Sequence, residues 1–323
     1  MAFEYVPVSD VEPQLRLALD IRDVGAITGV AAKGQPVDWG AARAIYEQGR
    51  NSRRGDGSLR TLASVAKNKG VLAQFPNGAE VLGTESFLDA RVQEALGGTG
   101  SSKGQSERAR HQAMDKAMLG IMYGEVLEEL EAARSKVGQG NLDRAKGAPH
   151  NVDEAWAYYA GAKAEDGKRP YSLSSTAGKR EANFKVAGKI DGPLQQALAA
   201  AQTAAQKGDG QTLEEAAGRA RGYLNAICYL ACLRYAGSLK DAPDAGTREV
   251  QLAEAWGFFQ TLRPAIASAS REAARAVKDV FSRPATGPFT AGDTTTVYGA
   301  LNDPRVLQAL AVPAPLVFRA PPA

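Results

Sequence analysis

An all-α fold is predicted: a duplicated helical bundle with pseudo-twofold related halves and an extended, Pro/Gly-rich C-terminal tail. Three observations carry this. The middle of the chain is rich in Ala, Leu, Gln, Glu and Arg, all good helix formers. Sustained alternation of β-branched residues is missing, as is an Asn-Gly or Asp-Gly hairpin with convincing flanks. Third, Glu-Ala-Trp-small-aromatic-aromatic occurs twice, in DEAWAYYAGA from Asp153 and AEAWGFFQTL from Ala253, 100 residues apart. Each copy follows an apolar helical run, MLGIMYGEVLEEL from Met118 and YLNAICYLACLRY from Tyr223.

Taken in chain order, short helices are predicted at 38–48, 58–67 and 86–96. A long helix follows at 106–136, with Ser106 as its N-cap and Glu107 in its first turn. Shorter helices are placed at 153–164, 175–188 and 193–206, then two long ones at 212–239 and 247–282. The last should bend or break at Pro264, which lacks the N–H an interior helical position needs. Breaks fall at the Gly- and polar-rich stretches 97–104, 138–151 and 208–211. The 323 residues divide into one duplicated domain, 1–282 (halves 1–190 and 191–282), and a tail, 283–323, lying over the bundle.

Lys plus Arg number 39 and Asp plus Glu 36, a net charge of +3, too thin an excess to call for nucleic acid or an anionic membrane. The N-terminal residues MAFEYVPVSDVEPQL show neither the basic nor the apolar region of a signal peptide as written. The run 223–233 is too short to span a bilayer. Cys228 and Cys232 lie on one helical face and read as buried free thiols, because a disulfide within a single helix is poorly directed.

Standard enzyme signatures are missing: there is no GxGxxG after a strand, no GxxxxGK[ST], no GxSxG and no HExxH. Candidate chemistry rests on scattered polar groups. Glu154 and Tyr158 share a helix face, and Glu254 and Phe258 repeat that spacing. If both glutamates project into a cleft between the halves, they could hold a hard cation; if not, they pack against a neighbouring helix. On the long helix, His111, Asp115, Met118, Met122, Glu125 and Glu129 form one stripe. That stripe either lines a pocket or grades from core methionines to solvated ends. YSLSSTAGKREANF, from Tyr171, gathers hydroxyls with Lys179, Arg180 and Asn183 and could receive an anion or simply cap and solvate a helix. Arg50, Arg53, Arg54 and Arg60 bracket a Gly-Asp-Gly turn without interleaved aromatics, so nucleic acid is a weak inference there.

Three segments together resemble a known family. IYEQGRNSRRGDGSLRTL, DEAWAYYAGA with YSLSSTAGKREANF, and AEAWGFFQTLRPAIAS are similar, in this order, to blocks of the low-iron-inducible periplasmic iron-assimilating proteins of green algae and their bacterial relatives. The resemblance spans roughly 45–268. It implies a helical, periplasmic or secreted protein of iron assimilation with no known catalytic activity, handling an iron ion or a small iron complex. Carried over by position, it points to Glu47 and Asn51 in the first block, to Glu154, Tyr158, Lys179, Arg180 and Asn183 in the second and to Glu254 in the third. The expectation is a metal set of Glu47, Glu154, Tyr158 and Glu254, with Asn51, Lys179, Arg180, Asn183, His111 and Glu125 as ligand-binding residues. The alternatives are an interaction subunit docking a protein partner through the tail, and an enzyme using a cleft carboxylate with Lys179 and Arg180.

Overall fold

A computed structural model of the chain describes residues 3–164 and 167–321. Its elements are α1 (Glu12–Thr28), α2 (Trp39–Gln48), α3 (Leu62–Ala66), α4 (Lys69–Ala73), α5 (Gly78–Leu82), α6 (Phe87–Gly97), α7 (Glu107–Gly138), α8 (Ala148–Ala160), α9 (Leu173–Phe184), α10 (Asp191–Lys207), α11 (Gly210–Ser238), α12 (Ala245–Ala269), α13 (Arg271–Phe281), α14 (Ala291–Leu301) and α15 (Pro304–Leu310). Among the described residues the fold is all-helical, the sole β feature being an isolated bridge between Arg53 and Leu59.

The centre is α7. Ser106 caps it by accepting from the Ala109 amide, as the sequence predicts. Its middle, from Ala117 to Leu127, is buried on every side, which is why its apolar pattern lacks a single stripe. Helix α8 packs on its C-terminal half and α12 on its N-terminal half, with α6 and α11 alongside. Close approach to α12 is set by Gly257, where an added Cβ would run into the Lys116 side chain. The two Glu-Ala-Trp segments thus lie on α8 and α12, both against α7.

Three differences from the sequence reading have local causes. Helix α1 carries no clear helical signal in the sequence: its Leu17, Ile21 and Val24 stripe is interrupted by the equally buried polar residues Gln14, Asp20 and Thr28. Helix α12 runs through Pro264 without ending, because packing on both α7 and α11 outweighs one missing hydrogen bond. The break comes at Ser270, whose extended backbone ends α12 while its Oγ accepts from the Ala273 amide to start α13.

The third difference is the tail, which is not extended. Residues 283–321 form α14 and α15, which bury Val297, Tyr298, Leu301, Val306 and Leu310 against the bundle. Their starts are encoded in polar signals that the Pro/Gly composition obscured. Thr290 and Asp293 make a capping box, and Asp303 accepts from the Arg305 amide just ahead of Pro304. Among the described residues no helix is long and apolar enough to cross a membrane. Both cysteines are buried and free.

Candidate functional site

Two buried polar clusters form on α7, one at each end. The first lies where α7 meets α8. Helix α7 contributes Glu125, Glu128 and Glu129; α8 contributes His150, Asn151, Glu154 and Tyr158; α1 contributes Gln14; and the loop before α3 contributes Arg60. Glu125, Glu129, Glu154 and Tyr158 are all under one-tenth exposed.

Glu154 is gripped from several directions. The Gln14 side-chain amide donates to its Oε1, His150 Nε2 lies 3.5 Å from the same oxygen, and Asn151 donates weakly to Oε2 at 3.4 Å. Asn151 also donates to Glu129 at 2.5 Å. Burial works to raise the Glu154 carboxyl, but His150, Glu129 and Gln14 together pull it below the ordinary value. Burial pushes Glu129 well above the ordinary range, reinforced by the charges of Glu154 and Glu125. Burial and the neighbouring charges thus favour the proton on Glu129 over Glu154. Glu125 is raised to about 7, first by burial and then by Glu128, with Arg60 and Tyr158 only partly offsetting. Glu128 is also raised, by burial and then by Glu154.

Several polar atoms here lack a hydrogen-bond partner: Glu125 Oε2, Tyr158 OH, Asn151 Oδ1, Gln14 Oε1 and Arg60 Nη1. Such concentration of unsatisfied buried atoms in one spot calls for an explanation, since each ordinarily costs about 1–3 kcal/mol. Tyr158 is the most buried residue of the cluster, 1% exposed, with the Arg60 guanidinium 5.8 Å from its ring centroid.

His150 is oriented by Ser9. The Ser9 hydroxyl donates to Asp153 at 2.6 Å, so its oxygen is left to accept from His150 Nδ1 at 2.8 Å. That places a hydrogen on Nδ1 and turns Nε2 toward Glu154. Glu154, first through its hydrogen bond, raises the His150 imidazole above its ordinary value. Asp153 is itself a structural knot, accepting from Tyr5 OH, the Val8 and Ser9 amides, Ser9 Oγ and the Gln202 side chain.

The second cluster lies at the other end of α7, where α9, α11 and α12 converge: His111, Asp115, Lys116, Lys179, Arg180, Arg234, Tyr235 and Glu254. Lys116 pairs tightly with Asp115 and lies 3.6 Å from Glu254. Thr28 repeats the logic of Ser9. Its hydroxyl donates to the Val24 carbonyl, so it accepts from His111 Nδ1 at 2.7 Å and frees Nε2 from the proton. Burial lowers the His111 pKa, leaving the ring neutral at pH 7.

The residues expected to share one site are therefore dispersed. Glu154, Tyr158 and Glu125 meet in the first cluster; His111, Lys179, Arg180 and Glu254 meet in the second. Glu154 and Glu254 do not meet: their α7 partners, Glu125 and Lys116, stand nine residues apart, about 14 Å along the helix. Glu47 belongs to neither, pairing at the surface with Arg43 at 3.2 Å and Gln93 at 3.1 Å. Asn51 is a clamp between the loop after α2 and α1, donating to Asp20 at 2.7 Å and Asp23 at 3.0 Å. Asn183 is exposed on α9. The stripe on α7 is real, but its two ends enter different clusters with Met118 and Met122 buried between them. Glu129, on the α7 stripe, and Arg60, beside the Gly-Asp-Gly turn, join His150, Asn151, Lys116 and Tyr235, which no sequence pattern singles out, only through tertiary packing. Among the described residues no group of three or more His, Cys, Asp or Glu is arranged to hold a metal ion as it stands.

A helical fold built around a long central helix, with two interior polar clusters along it, defines an all-α protein. Residues 4–245 match the Fea1 family, described as low iron-inducible periplasmic protein, and the chain belongs to that family. Membership places it among periplasmic proteins associated with the response to low iron. No curated protein and no solved structure matches it.

Proposed function

We propose that the protein binds iron, non-enzymatically, in the first cluster. The observation that supports this is the convergence of Glu125, Glu128, Glu129, Glu154 and the Tyr158 phenol in one buried spot, with oxygens lacking partners. Carboxylate and phenol oxygens are hard donors suited to ferric and ferrous ions. In this conformation the donors are tied to Gln14, Asn151 and His150, so loading exchanges those hydrogen bonds for metal contacts. The proposal draws on family membership for iron in particular; carboxylate chemistry alone also suits manganese, magnesium and calcium. Glu154 and Glu129 are the principal ligands in this reading, Tyr158 and Glu125 the supporting ones, and Glu47 and Glu254 have no part.

The test is calorimetric titration of chelator-stripped protein with ferrous and ferric iron, repeated on Glu154→Gln and Tyr158→Phe. The expected result is saturable uptake lost in Glu154→Gln. Ferric loading should also give a phenolate-to-iron absorption band that Tyr158→Phe abolishes. Uptake unchanged in Glu154→Gln would remove the first cluster as the site.

A further inference from the structure

The second cluster carries the opposite balance of charge. Lys116, Lys179, Arg180 and Arg234 surround two carboxylates, Asp115 and Glu254, and His111 is neutral. Four cations against two anions leave two positive charges without a counter-charge inside the cluster. Both carboxylates are already engaged by Lys116.

Arg180 is the group most in need of a partner. It is 5% exposed, with its guanidinium carbon 5.7 Å from the Phe258 ring centroid and 5.9 Å from that of Tyr235. The rings face the π-surface of the cation and the Tyr235 hydroxyl takes one of its hydrogen bonds, but Arg180 Nε and Nη1 have no acceptor. Burial lowers the pKa of both Arg180 and Lys179, as expected of cations short of counter-charge. The cluster reaches the surface, since Asp115, Lys116 and Glu254 keep 15%, 11% and 19% of their side chains exposed and Lys179 is exposed.

We propose that this cluster binds a small dianionic carboxylate, with Arg180 engaging one carboxylate by its unclaimed N–H groups, Lys179 engaging the other at the exposed edge, and Phe258 and Tyr235 flanking the carbon skeleton. The planar guanidinium matches a carboxylate, and the two unneutralised charges match a dianion. Phosphate is disfavoured because its usual cradle of free backbone N–H groups is missing here. Lys179 and Arg180 sit inside α9, whose N-terminus is capped elsewhere by Ser172. The site uses none of the iron-binding side chains and stands or falls apart from them.

The experiment is calorimetric titration of the full chain with succinate, and separately with inorganic phosphate, at low salt and pH 7. Succinate is expected to saturate one site, with affinity reduced at least tenfold in Lys179→Gln and in Arg180→Lys, the latter keeping the charge but losing the guanidinium fork. Lys179→Gln, altered at an exposed position, should keep the parent's melting temperature and its iron titration. Absence of succinate binding by the parent overturns the proposal, as does parent-like binding by Lys179→Gln in a folded protein. Phosphate binding tighter than succinate overturns the carboxylate assignment.

Discussion

Replacing Glu125 by Gln should stabilise the iron-free protein at alkaline pH and leave it nearly unchanged in acid. The Glu125 carboxyl is 5% exposed and titrates at about 7 in the fold against 4.5 when unperturbed, because burial and the Glu128 charge both oppose ionisation. Between those two values the folded state holds a proton that the unfolded chain has released. Stability is therefore fully present below about pH 4.5 and is lost as pH rises through about 7. At 1.36 kcal/mol for each tenfold difference, the loss by pH 8 is about 3 kcal/mol. Glutamine has the same shape and no charge to desolvate, so the variant escapes that loss. At about 2 °C per kcal/mol for a chain of this size, its melting temperature should exceed the parent's by roughly 6 °C at pH 8 and by little at pH 4.5. Melts followed by far-ultraviolet circular dichroism at half-unit pH intervals, in chelator, measure the difference and cancel titrations common to both proteins. A constant difference across pH, or a less stable variant at pH 8, would refute a buried carboxyl repelled by its neighbours.

Three further outcomes follow from the same structure. Ferric uptake should release on the order of two protons per ion at pH 7, because burial favours the protonated Glu129 carboxyl and Tyr158 is a phenol in the free protein, whereas ligation requires carboxylate and phenolate; titrations in buffers of differing ionisation enthalpy read this directly. Asp153→Ala should destabilise by about 3 kcal/mol or more, since it strips the acceptor shared by Tyr5, Val8, Ser9 and Gln202 and each buried donor left unpaired costs about 1–3 kcal/mol, and limited proteolysis should then cut within residues 3–10. Gly49→Ala should cost about 2 kcal/mol in urea unfolding, because Gly49 has φ +72° and its added Cβ would meet the Arg60 carbonyl oxygen at 2.9 Å.

What the sequence exposes is local. The Ser106 cap and the long helix behind it follow from patterns within a few turns of helix. Glu154 and Tyr158 do share a face, because four residues make one turn whatever packs outside. The partners of that face come from three distant places: Gln14 on α1, Arg60 in a loop and Glu129 on α7. No spacing rule links them. The repeated Glu-Ala-Trp motif invited a shared cleft, yet motif identity does not fix which part of α7 each copy meets, and Lys116 opposite Glu254 gives that end another charge. Asn51 shows the same limit. A polar residue within a family-like block turns out to tie a loop to α1 through Asp20 and Asp23. The tail misled for a different reason: Pro and Gly there flank short helices whose burial depends on α11, α12 and α13 being already in place.

The most direct test of the iron-binding proposal is anomalous diffraction at the iron edge from crystals loaded with ferric iron. The account predicts one peak between α7 and α8, within bonding distance of Glu154 and Glu129 carboxylate oxygens. A peak beside Glu254 and Lys116 instead, or density at the first cluster that stays unchanged on loading, would contradict it.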